Sequence, residues 1–528
     1  MSEIDIAAEL ARFTRKPCFG EKWNGRFLFA MAIYASLIVI GTLSVPSRFW
    51  DGIAECPILA IGVLAVWRFG WWSTHVTRAL IYGRIVFPRL RAAAVREWAN
   101  GRRPARLHFM VITFRERPST TRACIGSIIA EVRATGLPAT IWLGSGEAAD
   151  EPPVAAIIEC EAADLDIALI VARQRAPGKR YAIGTALRAI QGGKLAPDDL
   201  VFFMDGDSVL MPELLERTTS LFLADPDLQA LTTDEDGVVH GPRWMWSWLS
   251  MRFAQRRVAM QSHSLSYRLL TLTGRLSIIR ARHALHPDFI EIVEEDHLDH
   301  WLWGRFRFLS GDDKSTLYYM LRAGAKMIYV PDALVVTIEQ VKGSGYDRMV
   351  QNLRRWSGNM LRNGARAVAL GPRRAGLFIW WCLVDQRLAM WTTLAAPALA
   401  ISGAAVTTPW FMVGYATWIL ATRLMQSYVL WLYSRQADPV YPPLLYFNQV
   451  VNAVVKVMCM LRLSKQRWTN RGDQRAGFER GLADRLRQIA AGYIVGVAVT
   501  ALMLMVIVLA DRATRPTIYT AFSLLARL

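Results

Sequence analysis

Two pairs of carboxylates have types and spacing that could do chemistry. The first pair, Asp205 and Asp207, follows the apolar run Val201-Phe-Phe-Met, which predicts a buried strand ending in Asp-x-Asp. Two carboxylates at the end of one strand can converge on a divalent ion, and their hard oxygens suit Mg²⁺ or Mn²⁺. Ligands bind beyond the carboxyl ends of strands in open α/β sheets, which favours a metal and diphosphate site here. A helix cap or an ordinary turn is the structural alternative.

The second pair, Asp312 and Asp313, lies about a hundred residues later, within Gly311-Asp-Asp-Lys-Ser-Thr. A carboxylate placed beside a sugar hydroxyl can act as its general base. The alternative is that Asp313 caps a helix that begins at Lys314, since acidic residues are favoured at that position.

Basic and aromatic residues supply partners for these acids. Lys179 lies in the basic turn Arg173-Gln-Arg-Ala-Pro-Gly-Lys-Arg and is a candidate for phosphate contact. Arg355 can hold pyrophosphate by bidentate hydrogen bonds, and Trp356 offers a flat face to a sugar ring. An ordinary basic loop and an amphipathic interfacial helix are the alternatives.

The composition bounds the kind of protein that carries these groups. Of 528 residues, 53% are apolar and 20% charged, a balance that excludes disorder for most of the chain. The net charge is 62 − 44 = +18, yet the chain also has 20 Trp and long apolar runs, which favours a membrane protein over a nucleic-acid-binding one. Six cysteines without a CxxC pair argue against a disulfide framework or a zinc site.

Apolar runs predict where the chain crosses the membrane. Five runs have almost no charge and are about long enough to span it: Phe27–Val45, Pro57–Trp72, Met390–Val406, Trp410–Tyr433 and Ile489–Ala510. We interpret Leu377–Trp391 and Tyr441–Leu463 as interfacial helices, with a sixth span as the alternative for one of them. Arginines flank the first two spans on one side, so the positive-inside rule places both flanks in the cytoplasm.

Strand-like runs alternate with helical patterns between about residues 100 and 370. Phe109–Phe114, Thr140–Leu143 and Leu200–Met204 are examples of such strands. The alternation predicts an α/β domain with a mostly parallel sheet. The predicted organisation is residues 1–98 as a tail with two spans, 99–370 as the cytoplasmic domain, and 371–528 as interfacial helices with about three spans.

The order of the motifs resembles that of processive family 2 glycosyltransferases. It runs from Thr113-Phe-Arg-Glu116 through Gly178-Lys179, Asp205-x-Asp207 and Gly311-Asp-Asp to Arg355-Trp356. Longer blocks are similar to the glycosyltransferase subunit of bacterial alginate synthase, which polymerises mannuronic acid from GDP-mannuronate. They include Glu295-Asp-His-Leu-Asp-His-Trp, Leu272-Thr-Gly-Arg-Leu-Ser, Arg355-Trp-Ser-Gly-Asn and Asp385-Gln-Arg.

The resemblance implies a fold and a role for each motif. It implies a GT-A type glycosyltransferase domain inserted between membrane helices of a multi-pass protein of the bacterial inner membrane. The site residues that it implies are Asp205 and Asp207 for Mg²⁺ or Mn²⁺, Asp313 with Asp312 for catalysis, Thr113, Glu116, Lys179, Asp205 and Arg355 for the donor nucleotide, and Trp356, Asp234, Gly274 and Arg275 for the acceptor.

The resemblance also leaves alternatives open. The second strand ends Trp142-Leu-Gly-Ser-Gly where Asp is usual, and Gln351 is displaced by one before Arg355-Trp356. Both departures weaken a UDP-sugar donor, although a synthase of another β-glycan from a UDP-sugar remains the alternative. A non-processive transferase acting on a lipid carrier is the other.

Regulation is expected to reside on another chain. The sixty residues after Trp468 contain one predicted span and a charged, helix-like segment from Arg475 to Arg487, which is too little for a cyclic di-GMP-binding barrel. The family resemblance implies a separate regulatory subunit that binds this dinucleotide. The expected partners are thus a nucleotide-sugar, the growing polysaccharide, membrane lipid and that subunit. Ser464–Arg487 is a candidate docking segment for the subunit, and a lipid-facing basic linker is the alternative.

Overall fold

The computed structural model describes residues 6–14, 23–46, 56–341, 343–406, 408–468, 474–476 and 481–510. This part of the chain divides into two compact units. The first takes its residues from Met1–Pro17, His75–Val384 and Leu463–Phe478. The second takes its residues from Cys18–Thr74, Asp385–Arg462 and Glu479–Leu528.

The first unit is built around an eight-stranded sheet with the strand order β3-β2-β1-β4-β7-β6-β10-β5. Its strands are β1 Leu107–Thr113, β2 Ala139–Ser145, β3 Ile167–Arg173, β4 Leu200–Asp205, β5 Ser208–Leu210, β6 Leu228–His240, β7 Leu276–Arg280 and β10 Lys326–Gln340. Four neighbouring pairs are parallel, and β7 and the edge strand β5 run antiparallel to their neighbours. The prediction of a mostly parallel α/β sheet is confirmed.

Helices cover both faces of this sheet, and its central strands are buried along their whole length. All seven residues of β1 and of β2 are buried, as expected for parallel strands packed on both sides. The helices of the unit are Ile6–Thr14, Phe87–Ala99, Pro118–Thr135, Glu151–Glu161, Lys179–Gly192, Leu214–Ala224, Arg243–Ser264, Ala281–Ala284, Pro287–Glu294, Asp312–Arg322, Gly345–Ala369 and Gly371–Ala375.

Two short hairpins complete the unit. Strands β8 (His297–His300) and β9 (Gly304–Arg307) form one, and β11 (Gln466–Trp468) and β12 (Gln474–Ala476) form the other. The sequence predicts a helix-like segment from Arg475 to Arg487. This prediction is wrong for its first two residues, which lie in β12. The Gln466 side chain explains the difference, because it donates to the Arg307 carbonyl at 2.7 Å and accepts from the Leu309 amide at 2.9 Å. These tertiary contacts hold the hairpin in an extended conformation.

The second unit is helical. Its residues lie in helices Gly25–Ser44, Cys56–Ile81, Leu377–Val406, Trp410–Tyr433, Tyr441–Met460 and Leu482–Ala510, two of which begin or end in the first unit. Helices Gly25–Ser44 and Trp410–Tyr433 approach closely at Gly41, where a Cβ would lie 2.2 Å from the Thr417 hydroxyl. An alanine at residue 41 would require the Thr417 side chain or the helices themselves to shift.

Within the part of the chain that the structure describes, three helices are long and apolar enough to cross a membrane: Gly25–Ser44, Leu377–Ala405 and Tyr441–Met460. Leu377–Val406 forms one continuous helix, whereas the sequence predicted an interfacial helix followed by a separate span. Asp385, the charge that suggested the break, is paired with Arg68 at 2.5 Å. A paired charge is far less costly inside an apolar helix than an isolated one. By length and composition, Tyr441–Met460 also fits the alternative that had been left open, a further span.

Candidate active site

The Asp-x-Asp motif lies at the carboxyl edge of the parallel strands. Asp205 is the last residue of β4, and Gly206 and Asp207 form the turn that leads into β5. The Gly206 amide donates to the Ile112 carbonyl at 2.9 Å, which fixes this turn against the end of β1. A Cβ on Gly206 would lie 3.1 Å from that same carbonyl oxygen, so the close approach depends on glycine. The structure thus presents both carboxylates from a rigid strand end, and no helix follows for them to cap.

Lys179 links the two acidic motifs. It is the first residue of helix Lys179–Gly192, and its Nζ lies 2.7 Å from Asp205 Oδ1 and 3.1 Å from Asp312 Oδ2. The Lys179 side chain is only 10% exposed. Residues separated by more than a hundred positions therefore meet in one charged cluster.

The pKa of the Asp207 carboxyl reflects the negative charge concentrated at this edge of the sheet. Burial, and then the neighbouring charge of Asp205, raise its pKa to about 6. Two carboxylates held close together in a buried setting favour either a shared proton or a cation. Because the donors are carboxylate oxygens, the residues fit Mg²⁺ or Mn²⁺ better than a soft metal.

The second acidic pair begins a helix. Helix Asp312–Arg322 starts at Asp312, and Gly311 at its N-cap adopts φ +93° without any side-chain cap hydrogen bond. The alternative that Asp313 caps this helix is therefore wrong. Both carboxylates lie instead in the first turn, where the helix dipole favours negative charge.

A buried network fixes the start of that helix. Arg366 forms a bidentate ion pair with Asp296 at 2.5 and 2.7 Å, and Ser315 donates to the same carboxylate. Arg180 donates to the Ser315 hydroxyl at 2.8 Å and to the Val293 carbonyl at 2.8 Å. Asp296 and Arg180 are almost fully buried, so each charge depends on its partner.

The two aspartates have different electrostatic surroundings. Burial acts to raise the pKa of Asp312, but the charges of Lys179 and Arg180 outweigh it and lower that pKa. Burial, with the charge of Asp312, raises the pKa of Asp313, although Lys314 opposes the shift. A carboxylate with a raised pKa is a stronger base, so Asp313 is the better candidate for accepting a proton.

Arg355 and Trp356 lie next to each other on helix Gly345–Ala369, and Arg355 interacts electrostatically with both acidic motifs. Burial lowers the Arg355 pKa, and the charges of Glu339, Asp313 and Asp205 act in the opposite direction. These interactions place Arg355 within the field of both acidic motifs.

Trp356 belongs to an aromatic stack. Its ring lies parallel to that of Trp248, with centroids 5.9 Å apart and an interplanar angle of 11°. The Arg252 guanidinium lies 5.8 Å from the Trp356 ring centroid. Trp248 is fully buried and packs against one face of the half-buried Trp356 ring. This packing holds the Trp356 ring in a fixed orientation.

Asn359 ties this helix to the second acidic motif. Its side-chain oxygen accepts from the Ser310 hydroxyl at 3.1 Å and from Arg362 at 2.7 Å. Arg362 in turn donates to the Leu463 carbonyl at 3.1 Å. A Cβ on Gly311 would lie 2.7 Å from Asn359 Cγ, so the packing of these elements requires glycine there.

The remaining predicted donor residues lie at or just after the end of β1. Thr113 is its buried last residue, and its carbonyl accepts from the Gly146 amide at 3.1 Å. Glu116 follows in the loop, half-buried, and its charge and those of Asp205 and Asp207 all act on buried Cys124. Both residues therefore belong to the same edge of the sheet as Asp-x-Asp.

The predicted acceptor residues lie in two settings. Gly274 and Arg275 lie beside the charged cluster or act on it electrostatically, whereas Asp234 lies in the interior. A Cβ on Gly274 would lie 3.0 Å from Lys179 Nζ and 3.1 Å from Asp205 Oδ2, which places this glycine beside the charged cluster. Arg275 donates to Glu235 at 2.8 Å. Asp234 is buried and accepts from Arg257 Nε at 2.8 Å and from the Tyr329 hydroxyl at 2.8 Å, so it is part of an interior network.

Three further residues border the site and were missed by the sequence reasoning. Glu339, near the end of β10, pairs with Arg348 at 3.0 Å and acts electrostatically on Asp207 and Arg355. Lys314 is half-buried and donates to the Leu270 carbonyl at 2.7 Å. Gln466 holds the chain just before Ser310. Only Lys314 had a local signal, since it follows the second acidic pair directly.

Comparison with known proteins gives consistent matches. A family model described as "Glycosyltransferase like family 2" matches residues 104–359. The chain is 36% identical over 439 residues to "Glycosyltransferase alg8" of Pseudomonas syringae pv. tomato, which covers 83% of this chain and 88% of that protein. It is 34% identical over 443 residues to the protein of the same name from Azotobacter vinelandii, covering 83% and 89%.

Solved structures include a mannosyltransferase from Pyrobaculum calidifontis in complex with GDP-Man and Mn²⁺. It aligns with a TM-score of 0.44 and 19% identity, over 73% of this chain and 99% of that one.

Proposed function

Since the chain belongs to the alginate-synthase-like family 2 glycosyltransferases, we propose that it is a processive, inverting enzyme that polymerises mannuronic acid from GDP-mannuronate. The observation that carries the proposal is the charged cluster in which Lys179 contacts both Asp205 and Asp312. This cluster joins the first acidic motif to the second, which supports a donor site at Asp205 and Asp207 and a base in the neighbouring pair. That the chain is a glycosyltransferase follows from the family itself.

The donor end of the proposed site uses the first acidic motif. Asp205 and Asp207 would hold Mg²⁺ or Mn²⁺, which supplies positive charge against the leaving diphosphate. Lys179 and Arg355 would bind the diphosphate oxygens by charge-assisted hydrogen bonds. Thr113 and Glu116 would line the nucleoside, because they lie at or just beyond the carboxyl end of β1.

The transfer step requires a base on the acceptor side. Asp313 would accept the proton of the acceptor hydroxyl as that oxygen attacks the anomeric carbon of the donor. The bond from that carbon to the diphosphate oxygen breaks in the same displacement, which inverts the configuration. Asp312, kept ionised by Lys179, would stabilise the position of this lysine rather than take the proton.

The acceptor end of the proposed site is the aromatic stack. Trp356 would support the terminal sugar of the growing chain on its flat face, and Trp248 would hold that ring in place. Gly274 leaves room beside Lys179 and Asp205, and Arg275 supplies positive charge nearby. Asp234 would act indirectly, by holding Arg257 under this surface.

An acidic sugar is supported by the positive charge around the site. Arg252, which lies over the Trp356 ring, and Lys314 are half-buried basic residues in addition to those assigned to the diphosphate, whereas Arg256 is paired with Glu235 at 3.0 Å. Such residues would favour an anionic donor and product electrostatically. A neutral β-glycan made from a UDP-sugar is the second candidate, because nothing in the site excludes a neutral ring.

The chain is a membrane protein, and we propose that it crosses the bacterial inner membrane several times, with the catalytic unit in the cytoplasm. Export of the polymer through its own spans belongs to this proposal. So does a separate regulatory subunit that binds cyclic di-GMP. The helices that are apolar enough to cross a membrane support the first part.

A donor panel tests the proposal. Purified full-length chain, with its regulatory partner where needed, is incubated with GDP-mannuronate, UDP-glucose or UDP-N-acetylglucosamine, and nucleotide release and product mass are measured. Long acidic chains from GDP-mannuronate alone would support it. Single-sugar lipids would favour a non-processive transferase, and polymer from a UDP-sugar would favour another β-glycan.

A further inference from the structure

A second group of ligand-type side chains lies within the first unit, apart from the carboxylates of the transferase site. His75, His263 and Cys382 offer ring nitrogens and a thiol whose ligand atoms all lie within 4.8 Å of one another. They come from three helices, Cys56–Ile81, Arg243–Ser264 and Leu377–Val406. The three positions are far apart in sequence, so only the fold brings them together.

Burial makes this group unusual. His263 and Cys382 are 5% and 3% exposed, and His75 is half-buried. The Nδ1 atom of His263 is buried and has no hydrogen-bond partner among the described residues. A buried polar atom without a partner is costly, and a ligand or ion is one way in which proteins satisfy such an atom.

The rings are arranged around a common centre. His75 Nε2 lies 3.9 Å from the Cys382 sulfur, and the His75 and His263 ring centroids are 5.6 Å apart at an angle of 78°. These distances bring two imidazoles and one thiol close enough to share a single ion.

We propose that His75, His263 and Cys382 form a binding site for a borderline or soft transition-metal ion of the Zn²⁺ class. Two imidazoles and one thiolate are a donor set that such ions prefer, whereas Mg²⁺ and Mn²⁺ prefer oxygen. Metal–ligand bonds of about 2.0–2.3 Å place neighbouring tetrahedral donors about 3.5 Å apart. The sulfur–nitrogen distance of 3.9 Å is already close to that value.

Arg78 sets a constraint on the ion. Its guanidinium lies 3.6 Å from the Phe378 ring centroid and donates to the Ser262 carbonyl at 3.3 Å, so it is held beside the cluster. A nearby positive charge disfavours a cation, and the Cys382 thiolate offsets one charge. Binding therefore requires that the thiol be deprotonated by the metal, with release of its proton to solvent.

The simpler interpretation is a thiol–imidazole hydrogen bond with no metal. That interpretation explains the contact between Cys382 and His75, but it leaves His263 Nδ1 unsatisfied. The two interpretations differ in whether His263 and Cys382 act together on a bound ion.

The test uses the full chain purified in detergent micelles and stripped with a chelator. It is then titrated with Zn²⁺ and, separately, with Co²⁺, whose spectrum reports thiolate coordination. We expect one tightly held Zn²⁺ per chain, a sulfur-to-Co²⁺ charge-transfer band, and slower alkylation of Cys382 when Zn²⁺ is present. Cys382→Ser and His263→Gln should each lower Zn²⁺ affinity by at least about 100-fold, since even loss of an indirect partner of a metal site costs about 10–100-fold.

Cys160→Ser is the matched control, because Cys160 is an exposed thiol outside the cluster. It should retain the affinity and the spectrum of the wild type. Equal Zn²⁺ binding by wild type and Cys382→Ser would overturn the proposal, and so would a wild-type Co²⁺ spectrum without thiolate coordination. If a variant does not fold, the wild-type spectrum and the alkylation rate at Cys382 decide by themselves.

Discussion

Replacing Lys179 by Met removes the cation that links the two acidic motifs. Lys179 Nζ lies 2.7 Å from Asp205 and 3.1 Å from Asp312, and its side chain is 10% exposed. At an effective dielectric constant of about 20, these two attractions are worth about 6 and 5 kcal/mol before desolvation. Removing one partner of a buried ion pair has a net cost of about 3–5 kcal/mol, because charge is left uncompensated.

The assay is thermal unfolding of the purified chain with and without Mn²⁺. We expect Lys179→Met to lower the melting temperature by about 5–10 °C in the absence of divalent ions. Mn²⁺ should restore part of this loss, since an ion held by Asp205 and Asp207 supplies positive charge at the same place. Transferase activity should fall as well, because Lys179 also binds the donor diphosphate in the proposed site.

Arg305→Met is the control for this experiment. Arg305 and Asp299 form an ion pair at 4.0 Å, with side chains that are 70% and 83% exposed. Loss of an exposed pair should change stability by no more than about 1 kcal/mol. A Lys179→Met protein with wild-type stability, wild-type activity and no response to Mn²⁺ would refute the reasoning.

Four further outcomes follow from the site. Asp313→Asn should lower turnover by at least about 100-fold while nucleotide binding persists, because the base is lost and the diphosphate site is not; normal polymer yield from this variant would contradict the assignment. Asp207→Ala should abolish metal-dependent nucleotide binding, measured by calorimetry, and retention of tight binding would move the metal elsewhere. Because the Asp313 pKa is raised, its base form is lost at a higher pH than for an ordinary carboxyl, so kcat/KM should decline on the acidic side above about pH 4; a decline only below that pH would argue against Asp313. Trp356→Ala should shorten the polymer more than it slows nucleotide hydrolysis, with Trp356→Phe intermediate, and unchanged chain length would remove the aromatic stack from acceptor binding.

Local patterns in the sequence were enough for the fold class and for a hypothesis about the site. Buried strands such as β1 and β4 are largely apolar runs. Such a run followed by Asp205-x-Asp207 predicts a metal and diphosphate site at the end of the strand. Loops of charged and small residues follow those strands, so the motif order could be recognised as that of a family. These features depend on neighbouring residues only, which is why the sequence determined them.

Contacts between distant residues were decided by the tertiary structure alone. The sequence left open whether Asp313 caps a helix, and the φ of +93° at Gly311, packed against Asn359, settled that the helix starts at Asp312. Asp385 suggested a break in a span, but its pairing with Arg68 allows one continuous helix. Cysteine spacing argued against a metal site, whereas folding brings Cys382 to His75 and His263 from two other helices. In each case the role of a charge, a turn or a ligand residue depends on a partner many residues away. The spacing of residues along the chain does not identify that partner.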